Sequence, residues 1–230
     1  MMNMEERNEK GMKKFELTTD TKIHLGRKLF RIKALVSFGD VEVGDLGGYV
    51  EKEENLEHEG NAWVSGDAWV SGNACVCGNA RVSGNACVSG DACVYDDARV
   101  TGDASVTGVA WVSGNAIVSD DAIVTGNAWV TGNAWVSGDA RVSYDARVSG
   151  NACVCGNADY ATVRGFGTQC RPTTFFRCEG GEIRVVCGCF SGTLEEFRKQ
   201  VKDTRSGKIE KEYLMIADLM KLHFEEESEE

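Results

Sequence analysis

Residues able to do chemistry are few in this chain. Histidine, the side chain used most often as a general base near neutral pH, occurs only as His24, His58 and His223. His58 stands next to Glu59 and reads as a capping or partly buried histidine. Ten cysteines include the pairs Cys75–Cys77, Cys153–Cys155 and Cys187–Cys189. Structural zinc takes four ligands at about 2.3 Å. C-x-C on one strand face instead spreads its two residues over about 6.6 Å. The expectation is therefore no catalytic residue, no metal and no cofactor. Gly165-Phe166-Gly167 lacks the strand-to-helix setting of a dinucleotide loop. Two constellations remain. Arg81 and Arg99, flanked by Trp63 and Trp135, suit a phosphate with a stacked base, or an acidic partner loop; these four are the candidate ligand-binding residues. Asp97 competes with that reading as a plain surface partner for an arginine. Trp111 and Trp129, with Arg147 beside them, are the candidate oligomer interface, because exposed aromatic clusters mark contact surfaces.

These residues are positioned by a repeat. Alanine recurs at every sixth position from Ala62 to Ala158, and valine from Val64 to Val154. The unit is G-[N/D]-A-x-V-[S/T]. Alanine and valine stand two apart and face one side of a short strand; x and Ser/Thr face the other. The Gly-Asn or Gly-Asp pair tolerates left-handed angles and turns a corner. With three units per coil, the number implied by the family resemblance given below, residues 18 apart stack on adjacent turns. One outward column then holds Trp63, Arg81, Arg99, Ile117, Trp135 and Cys153. A second holds Trp69, Cys87, Ser105, Ile123 and Arg141, and a third holds Cys75, Cys93, Trp111, Trp129 and Arg147. All five tryptophans are expected to point outward.

The pairs Val64–Ala68, Val70–Ala74 and onward resemble the hexapeptide-repeat superfamily, with its aliphatic first and small fifth positions. The resemblance implies an all-β solenoid, a left-handed parallel β-helix of triangular section, and threefold assembly. Many members are acyltransferases with a histidine base at a subunit boundary and a loop extruded over the acyl donor. Here the array from 61 to 158 holds no histidine and no insertion, so the acyltransferase stands as the alternative reading.

The ends predict caps. KKFELT and RKLFRIKAL alternate as strands and give residues 1–45 an N-terminal β cap. The β-helix occupies 46–160, with Val50 and Leu56 placed in the alanine column by extending the phase backwards. No helix is expected within 61–158. Residues 161–224 form a C-terminal cap: a hairpin about Glu179-Gly180-Gly181, then two α-helices. The first is opened by the capping box Thr193–Glu196; the second spans about Ile209 to Phe224. Residues 225–230 are a solvated acidic tail. The stretch CGCFSGTLEEFRKQV is similar to the tails of repeat proteins of phages and prophages, which implies a source and no chemistry.

Lysine plus arginine is 25 against 36 for aspartate plus glutamate, a net charge of −11. That argues against binding nucleic acid by phosphate neutralisation. No apolar run is long enough to span a membrane, and the charged start is no secretory signal. A cytoplasmic setting with reduced thiols follows. The functional expectation is a non-catalytic binding or scaffold protein, phage-encoded and a homo-oligomer, specifically a trimer. Its partner is a host protein or a small anionic nucleotide, as for an anti-defence protein that blocks or sequesters. A structural particle component is a further alternative.

Overall fold

The structure is a computed structural model, and it describes residues 13–225. Its centre is a parallel β-solenoid. The repeat's two-residue strands, from Trp63–Val64 to Cys153–Val154, stack into three sheets. The register joins residues 18 apart: Arg81 pairs with Arg99, Cys87 with Ser105, and Trp111 with Trp129. Three outward columns result, as three units per coil require. Inside, the alanines from Ala62 to Ala152 and the valines from Val64 to Val154 are fully or almost fully buried. Alanine and a branched valine at every coil fill the narrow interior without a cavity-forming change of size. Ala158 keeps the period in sequence but is exposed. The coils end at Val154, and a single 3-10 turn at Asn157–Asp159 overlaps the end of the segment expected to be free of helix.

The corners carry more than permissive backbone. Gly108 has φ +73°, and a Cβ there would lie 2.9 Å from the Gly126 nitrogen and oxygen. The close stacking of coils therefore needs glycine as much as the dihedral does. Beside the glycines runs a side-chain ladder: Asn79 donates to Asp97 at 3.1 Å, Asn85 to Asp103 at 2.8 Å and Asn115 to Asn133 at 3.0 Å. Asp96 and Asp120 occupy glycine positions at φ 58°. Each carboxylate accepts an N–H from the coil above, Asp96 from Gly114 and Asp120 from Gly138.

The solenoid is continued at its N-terminal side by a hairpin. Phe15–His24 pairs antiparallel with Arg27–Ala34, which pairs with Leu46–Val50; that strand then joins the coils in parallel through Val50 and Val70. Leu56 likewise bridges to Val76. These partners differ by 20 residues, not 18, because the stretch between Leu56 and Ala62 is two residues longer than the repeat. Val50 and Leu56 consequently lie in the valine column, which corrects the alanine-column expectation. They still plug the end, with Phe15 and Ile32 in the same buried cluster.

At the other end Phe176, Cys178 and Val186 join the solenoid core. They belong to a four-stranded antiparallel sheet of Tyr160–Val163, Thr173–Arg177, Ile183–Cys187 and Phe190–Thr193. The hairpin about Glu179–Gly181 is present within it. Tyr160–Val163, where the repeat rhythm fails, adds a strand that the sequence reading lacked. The sheet's other face packs on helices α1 (Leu194–Thr204) and α2 (Gly207–Phe224) in a second core of Phe175, Phe197, Ile216 and Met220. Thr193 Oγ1 accepts the Glu196 N–H at 3.2 Å and Glu196 accepts the Thr193 N–H at 2.8 Å, the capping box in full. Most of the acidic tail, from residue 226 on, lies outside the described residues. No helix among the described residues is long and apolar enough to cross a membrane.

Candidate functional site

The four residues read as a ligand site are not presented together. Trp63 is only 4% exposed. Its indole lies against the Gly47 backbone and edge-on to Phe38, centroids 5.4 Å apart. This corrects the expectation of five outward tryptophans: Trp63 does occupy the outward column, but the N-terminal hairpin and its following loop cover that end of the face. Arg81 pairs with Asp40 of the same loop. Asp97, the anticipated competitor, is taken by the Asn79 side chain. Arg99 stays exposed beside Arg81 in register. Trp135, half exposed, donates its indole N–H to Ser119 Oγ at 3.2 Å, two coils beyond Arg99. The paired cation between aromatic walls is thereby reduced to Arg99 alone on an open surface.

The third column does assemble. The Trp111 and Trp129 rings are parallel within 4°, with centroids 5.2 Å apart. Tyr95 closes one end of the stack edge-on at 6.0 Å, and the Arg147 guanidinium covers the other at 5.1 Å from the Trp129 ring. Register alone dictates this, since identical side chains on adjacent parallel strands fall one strand spacing apart. With both faces filled, the indole edges form the outer surface, 37% and 41% exposed.

His58 is fully engaged. Its Nδ1 accepts the Lys14 N–H at 3.1 Å, so its Nε2–H is the donor to Glu53, 2.8 Å away, and its ring stacks on Phe15 at 4.4 Å. Lys14 was not singled out by the sequence. Its ammonium donates to the carbonyls of Glu59, Gly60 and Ala62 at the first coil. Burial lowers its pKa from 10.5 to about 8.

The thiols differ from one another. Cys75 is pulled down to about 7, chiefly because Cys77 hydrogen-bonds its thiolate; Cys77 is pushed up by the same contact. Burial raises Cys87 and Cys93. Cys153 and Cys155 sulfurs lie 3.5 Å apart, and burial together with Cys155 raises Cys153 to about 11. Among the described residues, no group of three or more His, Cys, Asp or Glu side chains converges as a metal site.

The geometry defines a β-solenoid repeat protein. A family model described as the YdcK beta solenoid repeat matches residues 74–90, within the first regular coils. A comparison with curated proteins finds no match to the chain.

Proposed function

We propose that this chain is a non-catalytic binding scaffold that assembles with copies of itself, as a trimer, through the face bearing Trp111 and Trp129. The observation that carries the reading is the indole pair. Two aromatic side chains, each more than a third exposed, stand mid-array on a regular five-stranded face. Interfaces enrich for such rigid aromatic anchors. Covering two indole edges with their surroundings on each protomer removes a few hundred Å² of apolar surface, worth roughly several kcal/mol before association costs. As the partner of a phage-encoded anti-defence protein in the cytoplasm, a host protein fits better than a nucleotide. The nucleotide reading required Trp63 and Arg81, and both are occupied by the N-terminal cap. The test is sedimentation or light scattering of wild type and of Trp111→Ala/Trp129→Ala at micromolar concentration. A trimeric wild type that dissociates on the double substitution supports the proposal. A monomeric wild type overturns it.

A further inference from the structure

The C-terminal cap differs from the rest of the chain in charge. Residues 160–224 hold 11 lysines and arginines against 8 aspartates and glutamates, within a protein of net charge −11. Several of these cations are neutralised in place, Arg164 by Asp145 and Arg198 by Asp218. Arg171 and Arg205 have no carboxylate against them among the described residues. Both line one cavity of about 130 Å³.

That cavity lies between the Cys187–Phe190 turn, the loop at 168–171, and the helices α1 and α2. Phe190, Phe197 and Val201 give it apolar walls, and Phe197 and Val201 are themselves buried in the second core. Tyr213 also lines it, with its hydroxyl donating to the Phe166 carbonyl at 3.3 Å. Cys187, which accepts the Thr173 hydroxyl at 3.1 Å, and Cys189 complete that side. The Arg171 guanidinium is seated by the turn: a Cβ on Gly188 would come within 2.8 Å of it. Arg147 and Arg171 also line a second, more open hollow at that turn, with Pro172 and Gly188.

We propose that this cavity binds a small organic anion, a phosphate or carboxylate carried on a flat apolar body. Both arginines line the one cavity and neither has a carboxylate against it among the described residues, so an anion held there would offset their like charge. Arginine's forked donors match the oxygens of a phosphate or carboxylate. A concave, mainly apolar pocket with a few convergent polar groups is the usual form of a small-molecule site. The volume admits a single ring and no dinucleotide. Arg147, which covers Trp129, also donates to the Gly188 carbonyl at 3.5 Å, so the site adjoins the tryptophan face; anion binding and oligomeric state are read by different measurements, and either can fail alone.

Calorimetry with phenyl phosphate, benzoate and inorganic phosphate tests the proposal on the full chain. The expected result is that phenyl phosphate or benzoate binds with Kd below about 1 mM, and inorganic phosphate, lacking the apolar body, at least tenfold more weakly. Arg171→Gln/Arg205→Gln is expected to lose at least tenfold in affinity for the better of the two. Arg141→Gln, an exposed arginine on the solenoid, leaves it unchanged. The bound compound also slows alkylation of Cys189. The inference is overturned if neither aromatic anion binds, if inorganic phosphate binds as tightly, if the double variant binds like wild type, or if Cys189 alkylation is unaffected.

Discussion

Replacing Gly108 with alanine separates two costs that the repeat combines. The backbone there has φ +73°, a left-handed conformation that costs an L-residue about 1–2 kcal/mol. The added Cβ also meets the Gly126 backbone at 2.9 Å, and a main chain locked in a ladder cannot rotate aside. Gly150 is the control: its φ is +69° and nothing lies within 4 Å of a Cβ built on it. Gly150→Ala should therefore lose about 1 kcal/mol, and Gly108→Ala about 3 kcal/mol once the coils are forced apart. Gly108→Asp should fall between them. Asp96 and Asp120 offset their strain with a hydrogen bond to the next glycine N–H, 3.1 and 3.2 Å, an interaction worth about 1.5 kcal/mol, the low end for a charged acceptor, at an exposed corner. Thermal and urea unfolding of the three variants, followed by circular dichroism, would read the order. Equal losses at Gly108 and Gly150, or aspartate worse than alanine at 108, would refute the stacking argument.

Lys14→Met should lower stability by about 2–3 kcal/mol, because the carbonyls that the ammonium caps lose their donor; chemical denaturation measures it. The depressed folded-state pKa of Lys14, about 8, has a definite sign. Between pH 8 and the unfolded value near 10.5 the unfolded chain binds more protons, so this group's contribution raises stability with pH, and the lysine-to-methionine variant should lose that slope. Val112→Ala, at a fully buried site, should cost about 2–3 kcal/mol by lost burial and a cavity. Limiting iodoacetamide at pH 7.5, read by peptide mass spectrometry, should label Cys75 ahead of Cys87 and Cys93, since its pKa near 7 leaves it mostly thiolate; preferential labelling of Cys93 would contradict this. Asp40→Ala should cost no more than about 1 kcal/mol, as expected for a solvent-facing ion pair.

The architecture was legible because a six-residue period leaves few alternatives. The alanine and valine columns follow from spacing, and the membership of each face and the Trp111–Trp129 stack follow once the family resemblance supplies three units per coil. The capping box of α1 was equally visible, since it depends on residues three apart. What spacing could not supply were contacts between the repeat and segments outside it. Trp63 has the same place in its unit as Trp135, yet one is buried and the other half exposed, because Phe38 and Gly47 come from the cap. Arg81 takes its partner from the same loop. The register of Val50 and Leu56 was misread because two extra residues before Ala62 shift the phase without any change in composition. Arg171, Arg205 and Tyr213 come together from a loop, the C-terminal cap of α1 and the interior of α2. Nothing in their local sequence marks that meeting, although the Cys187-Gly188-Cys189 turn beneath it was already conspicuous.

The ladder of near-identical corners has a metric consequence. Each coil meets only the coils on either side of it, and nearly every corner presents the same glycine, asparagine or aspartate, alanine and valine to its neighbours, with Asp96, Asp120 and Tyr144 in place of glycine. Adding or removing 18 residues therefore leaves both ends chemically untouched while moving them by one strand spacing, about 4.8 Å. The solenoid is a ruler with uniform graduations. It holds the N-terminal hairpin and the helical cap at a separation, and with a relative rotation, that evolution can reset one coil at a time without redesigning either end.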